Sequence, residues 1–137
     1  MSNVEPFFDT NVVLYLFSAD VVKADRAEAL LAEGGVISVQ VLNELASVAR
    51  RKLAMTWSDV GEMLTQARVV CRVEALTVKT HTRGVAIAEH HNLSIYNAMI
   101  LAAAPDAGCS VIYTEDLQDG SVVEGRLTIR NPFLPAR

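Results

Sequence analysis

Short apolar runs alternate with segments of helical period along the whole chain, and that alternation limits the fold more than any other feature. PFF at 6–8, VISV at 36–39, EALTV at 74–78, SVIY at 110–113 and LTIRNPF at 127–133 have the length and apolar character of buried strands. Between them lie helix signals. VVLYLF follows the first strand, and KADRAEALLAE at 23–33 turns Ala27, Leu30 and Leu31 inward until Gly34-Gly35 stops it. VLNELASVARRKLA repeats Leu42, Leu45, Ala49 and Leu53 at helical spacing. Thr56 or Ser58 can cap the next helix, which buries Val60, Met63, Leu64, Ala67 and Cys71. A helix over 80–91 ends at Asn92, and another starts after Ser94, runs from Ile95 to about Ala104 and is closed by Pro105, Asp106 and Gly108. Asp116 to Gly120 reads as a tight turn or a single helical turn. Strands alternating with helices favour an α/β fold, a mainly parallel sheet with helices on both faces. No repeat, linker or composition shift divides the chain, so one domain over 1–137 is expected.

Several classes are excluded by composition. With 51% apolar and 20% charged residues the chain is not disordered or low-complexity. Cys71 and Cys109 lack metal-ligand or disulfide-framework spacing, which points to a reducing, cytoplasmic setting. MSNVEPFFD has no basic segment of a secretory signal, and the charge-free run Asn92 to Pro105 is too short to span a membrane. A net charge of −4 argues against coating nucleic acid through bulk charge, though not against acting on it through a small metal site. No glycine-rich phosphate loop is present, so no nucleotide cofactor is expected.

In open α/β sheets the ligand crevice lies beyond the carboxyl ends of the strands. Asp9-Thr10-Asn11 follows PFF there, and Thr114-Glu115-Asp116 follows SVIY. Asp9 equally suits a helix N-cap, and Thr114 and Asp116 equally suit capping of the following turn. Glu44 lies three residues after Val41 and four before Val48, either at a solvated edge or on an apolar stripe, where a lone carboxylate is costly unless paired or bound to a cation. Asn97 sits in the first turn of an almost wholly apolar helix, either supporting the Ser94 cap or aimed into a crevice. Asp9, Glu44, Asn97 and Asp116 thus supply hard oxygen ligands from four elements, the kind Mg²⁺ and Mn²⁺ take.

The segments FFDTNVVLYLF, VQVLNELASVARRK, LSIYNAMILAAA and VIYTEDLQDG, in this order over nearly the full length, resemble the PIN-domain family, most of all the VapC-type ribonuclease toxins of toxin–antitoxin pairs. The resemblance implies a PIN-like three-layer α/β/α sandwich and Mg²⁺- or Mn²⁺-dependent endonucleolytic cleavage of RNA. It further implies a cognate antitoxin that covers the site, and a homodimer. By position, Asp9, Glu44 and Asp116 match three acidic site residues of the family, with catalytic and metal-binding roles. Thr10, Asn11 and Thr114 would orient the acids, and Asp119 is a further carboxylate nearby. Position 97 departs from the family: Tyr-Asp-Ala is replaced by Tyr96-Asn97-Ala98.

Asparagine nearly matches aspartate in shape, so the fold should tolerate it. It keeps a carbonyl acceptor, loses a full negative charge and gains a donor. A unit-charge pair at ~4 Å and an effective dielectric of ~20 is worth about 4 kcal/mol before desolvation. Weakened metal binding and slower hydrolysis are expected. A deliberate change that lets a self-toxic enzyme be produced and a naturally weakened homologue both fit. The rival reading is a catalytically inactive domain that binds RNA or a protein partner. Among the remaining features, Arg50-Arg51-Lys52 reads as a solvated helix end before a phosphate-binding rim. His81, His90 and His91 read as surface residues, Trp57 as a helix-entry anchor, and Tyr15 and Tyr96 as packing residues before groove-lining ones.

Overall fold

A computed structural model of the chain describes residues 5–135; residues 1–4, on which the reading of the N-terminus partly rested, and residues 136 and 137 lie outside the described residues. Six strands form one sheet in the order β3-β2-β1-β4-β6-β5. These are β1 Phe7–Phe8, β2 Val36–Ser38, β3 Arg72–Glu74, β4 Val111–Tyr113, β5 Val122–Val123 and β6 Leu127–Arg130. All neighbours pair in parallel except β5 with β6. Phe7 and Phe8 of the central strand are fully buried, as a strand covered on both faces requires.

The helices are α1 Thr10–Leu14, continued by a 3₁₀ turn over Tyr15–Phe17, then α2 Val21–Ala32, α3 Val39–Arg51, α4 Trp57–Val70, α5 Val78–His91 and α6 Ile95–Asp106. They flank the sheet as an α/β/α arrangement. The α6 helix is the most apolar, and every residue from Ala98 to Ala104 is buried. It packs on β2, β4 and β6 with α5 over it, which is why it has no polar face. Five helices begin with a side-chain oxygen that accepts the N–H three residues on: Asp20 from Lys23, Ser38 from Val41, Thr56 from Asp59, Thr77 from Thr80 and Ser94 from Asn97. The sixth, headed by Asp9, does not follow this rule.

Between α2 and β2 the chain reverses in almost no space. Gly34 takes φ +86°, the left-handed region that favours glycine, and a Cβ on Gly35 would stand 2.2 Å from the Phe8 ring and 2.9 Å from the Pro6 carbonyl. Those two glycines let β2 run beside β1.

Four sequence expectations are corrected. The strand expected over 74–78 lies instead at Arg72–Glu74, where parallel pairing with Val36–Ser38 fixes it. Thr77 then caps α5, and Val78, 84% exposed, is a helical residue despite its strand preference. α6 runs through Pro105 to Asp106, because a proline in the last turn removes only one donor and the Ala107 and Gly108 N–H groups take up the final carbonyls. Leu53 lies beyond α3 and is half-exposed. Strand β5 was not foreseen. It joins β6 through Glu124 (φ +52°) and Gly125 (φ +68°), a tight hairpin built on Glu-Gly rather than the usual Asn-Gly or Asp-Gly. Cys71 and Cys109 are free and buried, and burial pushes both thiols up to about 11. No described helix is long and apolar enough to cross a membrane.

Candidate active site

The carboxyl ends of β1 and β4 lie side by side, since Phe8 pairs with Tyr113 and the Asp9 N–H donates to the Tyr113 carbonyl at 3.0 Å. Asp9 and Thr114 are therefore neighbours although 105 residues separate them. The Thr114 hydroxyl donates to Asp9 Oδ2 at 2.7 Å. Asp9 Oδ1 accepts the Thr10 N–H at 2.6 Å, the adjacent amide rather than one two or three residues on. Asp9 thus heads α1 without capping it in the usual way, and its second oxygen faces the β4 side.

Two residues carry the network outward from Asp9. The Thr10 hydroxyl donates to Glu44 Oε1 at 2.9 Å, and the Gln40 amide donates to Glu44 Oε2 at 3.1 Å. The Asn11 amide nitrogen lies 3.4 Å from Asp9 Oδ2, 3.2 Å from the Thr114 hydroxyl and 3.0 Å from Asp116 Oδ2. Thr114 Oγ1 also accepts the Asp116 N–H at 3.1 Å. Asp9, Glu44 and Asp116 are thereby gathered at one end of the sheet with Thr10 and Asn11 between them. Asp119 is turned elsewhere: its carboxylate accepts the Asn131 N–H at 2.8 Å and fixes the end of β6.

The three carboxylates have no cationic partner among the described residues; every ion pair there involves other acids. Asp9 is 4% exposed. Burial, opposed by the Thr114 and Thr10 hydrogen bonds and aided by the Asp116 and Glu44 charges, pushes its carboxyl up to about 6. A buried, hydrogen-bonded acid flanked by like charges is the electrostatic setting that a cation relieves.

The donor set suits a hydrated ion. Among the described residues no three His, Cys, Asp or Glu side chains stand close enough to form a ready-made cage. The Thr10 and Asn11 donors occupy the ground between the acids. Mg²⁺ commonly takes only one or two carboxylates and keeps several waters, so hard oxygens around such a space fit it.

Asn97 comes in from the other side. It is half-buried in the first turn of α6, its N–H donates to Ser94 Oγ at 3.1 Å, and its side chain lines a cavity of about 520 Å³ that Glu44 also lines. Asp9 and Asp116 do not line that cavity. The expected single pocket for all four residues is not found: Glu44 and Asn97 share this cavity, and Glu44 is tied to the Asp9 end through the Thr10 hydroxyl.

The PIN domain family matches residues 7–118. The chain belongs to the PIN domain family. Among solved structures, a toxin–antitoxin complex from Klebsiella pneumoniae superposes with a TM-score of 0.69 at 21% identity, covering 93% of this chain and 98% of that one. VapC20 of Mycobacterium tuberculosis, described as a sarcin–ricin loop cleaving toxin, gives 0.61 at 21% identity, covering 80% and 88%. A DNA-bound VapBC from Salmonella typhimurium gives 0.63 at 18% identity, covering 95% and 99%. No curated protein sequence matches significantly.

Two parts of this PIN domain's site escaped the sequence reading. Gln40 is buried and holds Glu44, a role visible only as an i, i+4 spacing on α3. The second is a latch behind Asp116. Tyr15 donates to Glu115, while Lys23 Nζ lies 3.0 Å from both the Tyr15 hydroxyl and Glu115 Oε2 and packs over the Tyr15 and Phe133 rings. These bonds hold the Lys23 ammonium above its ordinary range, the Tyr15 hydroxyl contributing most. The Glu115 N–H donates to the Asn11 side chain at 3.3 Å, so the latch steadies the segment that carries Asp116. No local pattern announces a latch whose partners lie 92 and 100 residues apart.

Proposed function

We propose that this chain is the ribonuclease toxin of a toxin–antitoxin pair, hydrolysing RNA phosphodiester bonds with Mg²⁺ or Mn²⁺, and that Asn97 attenuates it. The observation that carries this reading is the set of three carboxylates, Asp9 buried among them, gathered at the carboxyl end of a mainly parallel sheet, none of them in an ion pair among the described residues. Family membership and the fold shared with VapC-type toxins support it.

Asp9, Asp116 and Glu44 are the residues that would hold the metal. When bound, the metal orients and activates a water and offsets charge on the scissile phosphate. The chain's own groups supply the geometry. Thr114 and the Thr10 amide fix both oxygens of Asp9, Thr10 and Gln40 fix Glu44, and Asn11 ties Asp116 to the β1 end. Asn97 faces the Glu44 side with a neutral amide, which lowers the attraction for a cation there.

The partners that fit are an RNA substrate, a cognate antitoxin and a second copy of the chain in a homodimer, in a cytoplasmic setting and with 1–137 as one domain. The Klebsiella complex and the DNA-bound Salmonella VapBC are toxin–antitoxin assemblies, which supports the antitoxin. Asn97 also favours a second reading, an inactive domain that binds RNA or protein. One experiment separates the two: Mn²⁺ calorimetry and RNA cleavage on this chain, on Asn97→Asp and on Asp9→Asn. The nuclease reading expects cleavage that rises in Asn97→Asp and vanishes in Asp9→Asn. No metal binding and no cleavage by either of the first two proteins refutes it.

A further inference from the structure

Tyr96 is out of place for a packing residue. It follows Ile95 and precedes a run of buried apolar residues, yet it is 63% exposed. Its side chain stands at the wall of the cavity of about 520 Å³ that Glu44 and Asn97 line, and Arg51 and Asn43 line the same cavity. Arg51 is held there by its Nε bond to Ser47 Oγ at 2.9 Å, so its guanidinium is positioned rather than free. Neighbouring Arg50 is used by the fold: it donates to the Met55 carbonyl at 2.8 Å and covers the Trp57 ring at 4.7 Å. Two adjacent arginines at one helix end therefore have different tasks, and only Arg51 faces the site.

An exposed aromatic ring, a fixed guanidinium and a neutral amide around a cleft that touches the acid cluster match one unstacked nucleotide. Bases stack on aromatic faces irrespective of sequence, and arginine takes phosphate oxygens in a fork. The cavity size lies within the range of small-ligand clefts. A peptide strand would want an open sheet edge to pair with, and this cleft lies between α3 and the start of α6, away from any strand.

We infer that Tyr96 and Arg51 form a nucleotide subsite beside the Glu44 side of the site, Tyr96 stacking a splayed-out base and Arg51 holding the adjoining phosphate. The inference rests on the proposed ribonuclease reading for its substrate but not for its test. The chain in EDTA is titrated with a labelled single-stranded oligoribonucleotide and with the same sequence closed into a duplex. Binding of the single strand should exceed that of the duplex. Tyr96→Leu should weaken it about tenfold, while Tyr96→Phe retains it and Trp57→Leu, whose ring Arg50 covers, leaves it unchanged. Arg51→Ala should lower the salt slope of binding by about one phosphate contact. In the Asn97→Asp protein, Tyr96→Leu should raise KM with little change in kcat.

No RNA binding, or binding indifferent to Tyr96→Leu, or a Trp57→Leu loss equal to it, overturns the subsite. If Asn97→Asp cleaves RNA and Tyr96 is immaterial, the nuclease reading survives and the subsite falls. If RNA binds through Tyr96 and no variant cleaves, the subsite stands and the nuclease reading falls.

Discussion

Replacing Asp9 by asparagine should make the metal-free protein more stable relative to the parent as pH rises. The parent carboxyl is lifted from 3.8 to about 6 by burial. A raised carboxylate pKa means that the folded state resists ionisation, so the charge costs nothing well below the unfolded pKa. The cost grows as pH climbs from about 4 and is complete above about 6. At pH 7 the gap of about two units corresponds to about 3 kcal/mol, and at pH 4.5 to about 1 kcal/mol. Asparagine avoids this cost but loses an acceptor. Thr114 Oγ1 already receives the Asn11 and Asp116 N–H groups, so the new amide would face a hydroxyl with no lone pair to spare, at about 1–2 kcal/mol. That penalty does not depend on pH. The difference in stability between Asp9→Asn and the parent should therefore shift by about 2 kcal/mol in favour of the variant between pH 4.5 and pH 7. Thermal unfolding in EDTA reads this as roughly 8 °C for a chain of this size. Mn²⁺ should stabilise the parent and not the variant, and so narrow the gap at pH 7. A difference that stays constant across the pH range would refute the buried-charge argument.

Further outcomes follow from the same geometry. Asn97→Asp should bind Mn²⁺ at least tenfold more tightly by calorimetry, a change of about 1.4 kcal/mol; an unchanged affinity removes position 97 from the metal site. Thr10→Val keeps shape but deletes the bond to Glu44, and should cost about 1 kcal/mol in denaturant unfolding and weaken Mn²⁺ binding severalfold. Gly35→Ala should cost about 3 kcal/mol or more, or prevent folding, because its Cβ would enter the Phe8 ring and meet the Pro6 carbonyl; an ordinary melting curve would contradict the tight β1–β2 approach. Lys23→Met should leave the fold nearly intact by circular dichroism while lowering RNA cleavage in the Asn97→Asp background, since it frees Glu115 behind Asp116.

Local chemistry wrote most of the elements into the sequence. Ser94, Thr56 and Asn92 mark helix ends because a hydroxyl cap or a left-handed residue acts within one turn, and the spacing of Leu45 and Ala49 marks the inner face of α3 for the same short-range reason. Asp9, Glu44 and Asp116 stood out because acids at strand ends or on an apolar stripe need a reason. Tertiary structure decided what lies between them. Pairing of β1 with β4 set Thr114 on Asp9, pairing with β2 moved β3 to Arg72–Glu74, and the meeting of α6 with α3 left Tyr96 open beside Arg51 where periodicity suggested packing. Each of these depends on which distant segment lies alongside, and a one-dimensional pattern of apolar and polar residues holds the turn and the cap but not the neighbour across the sheet.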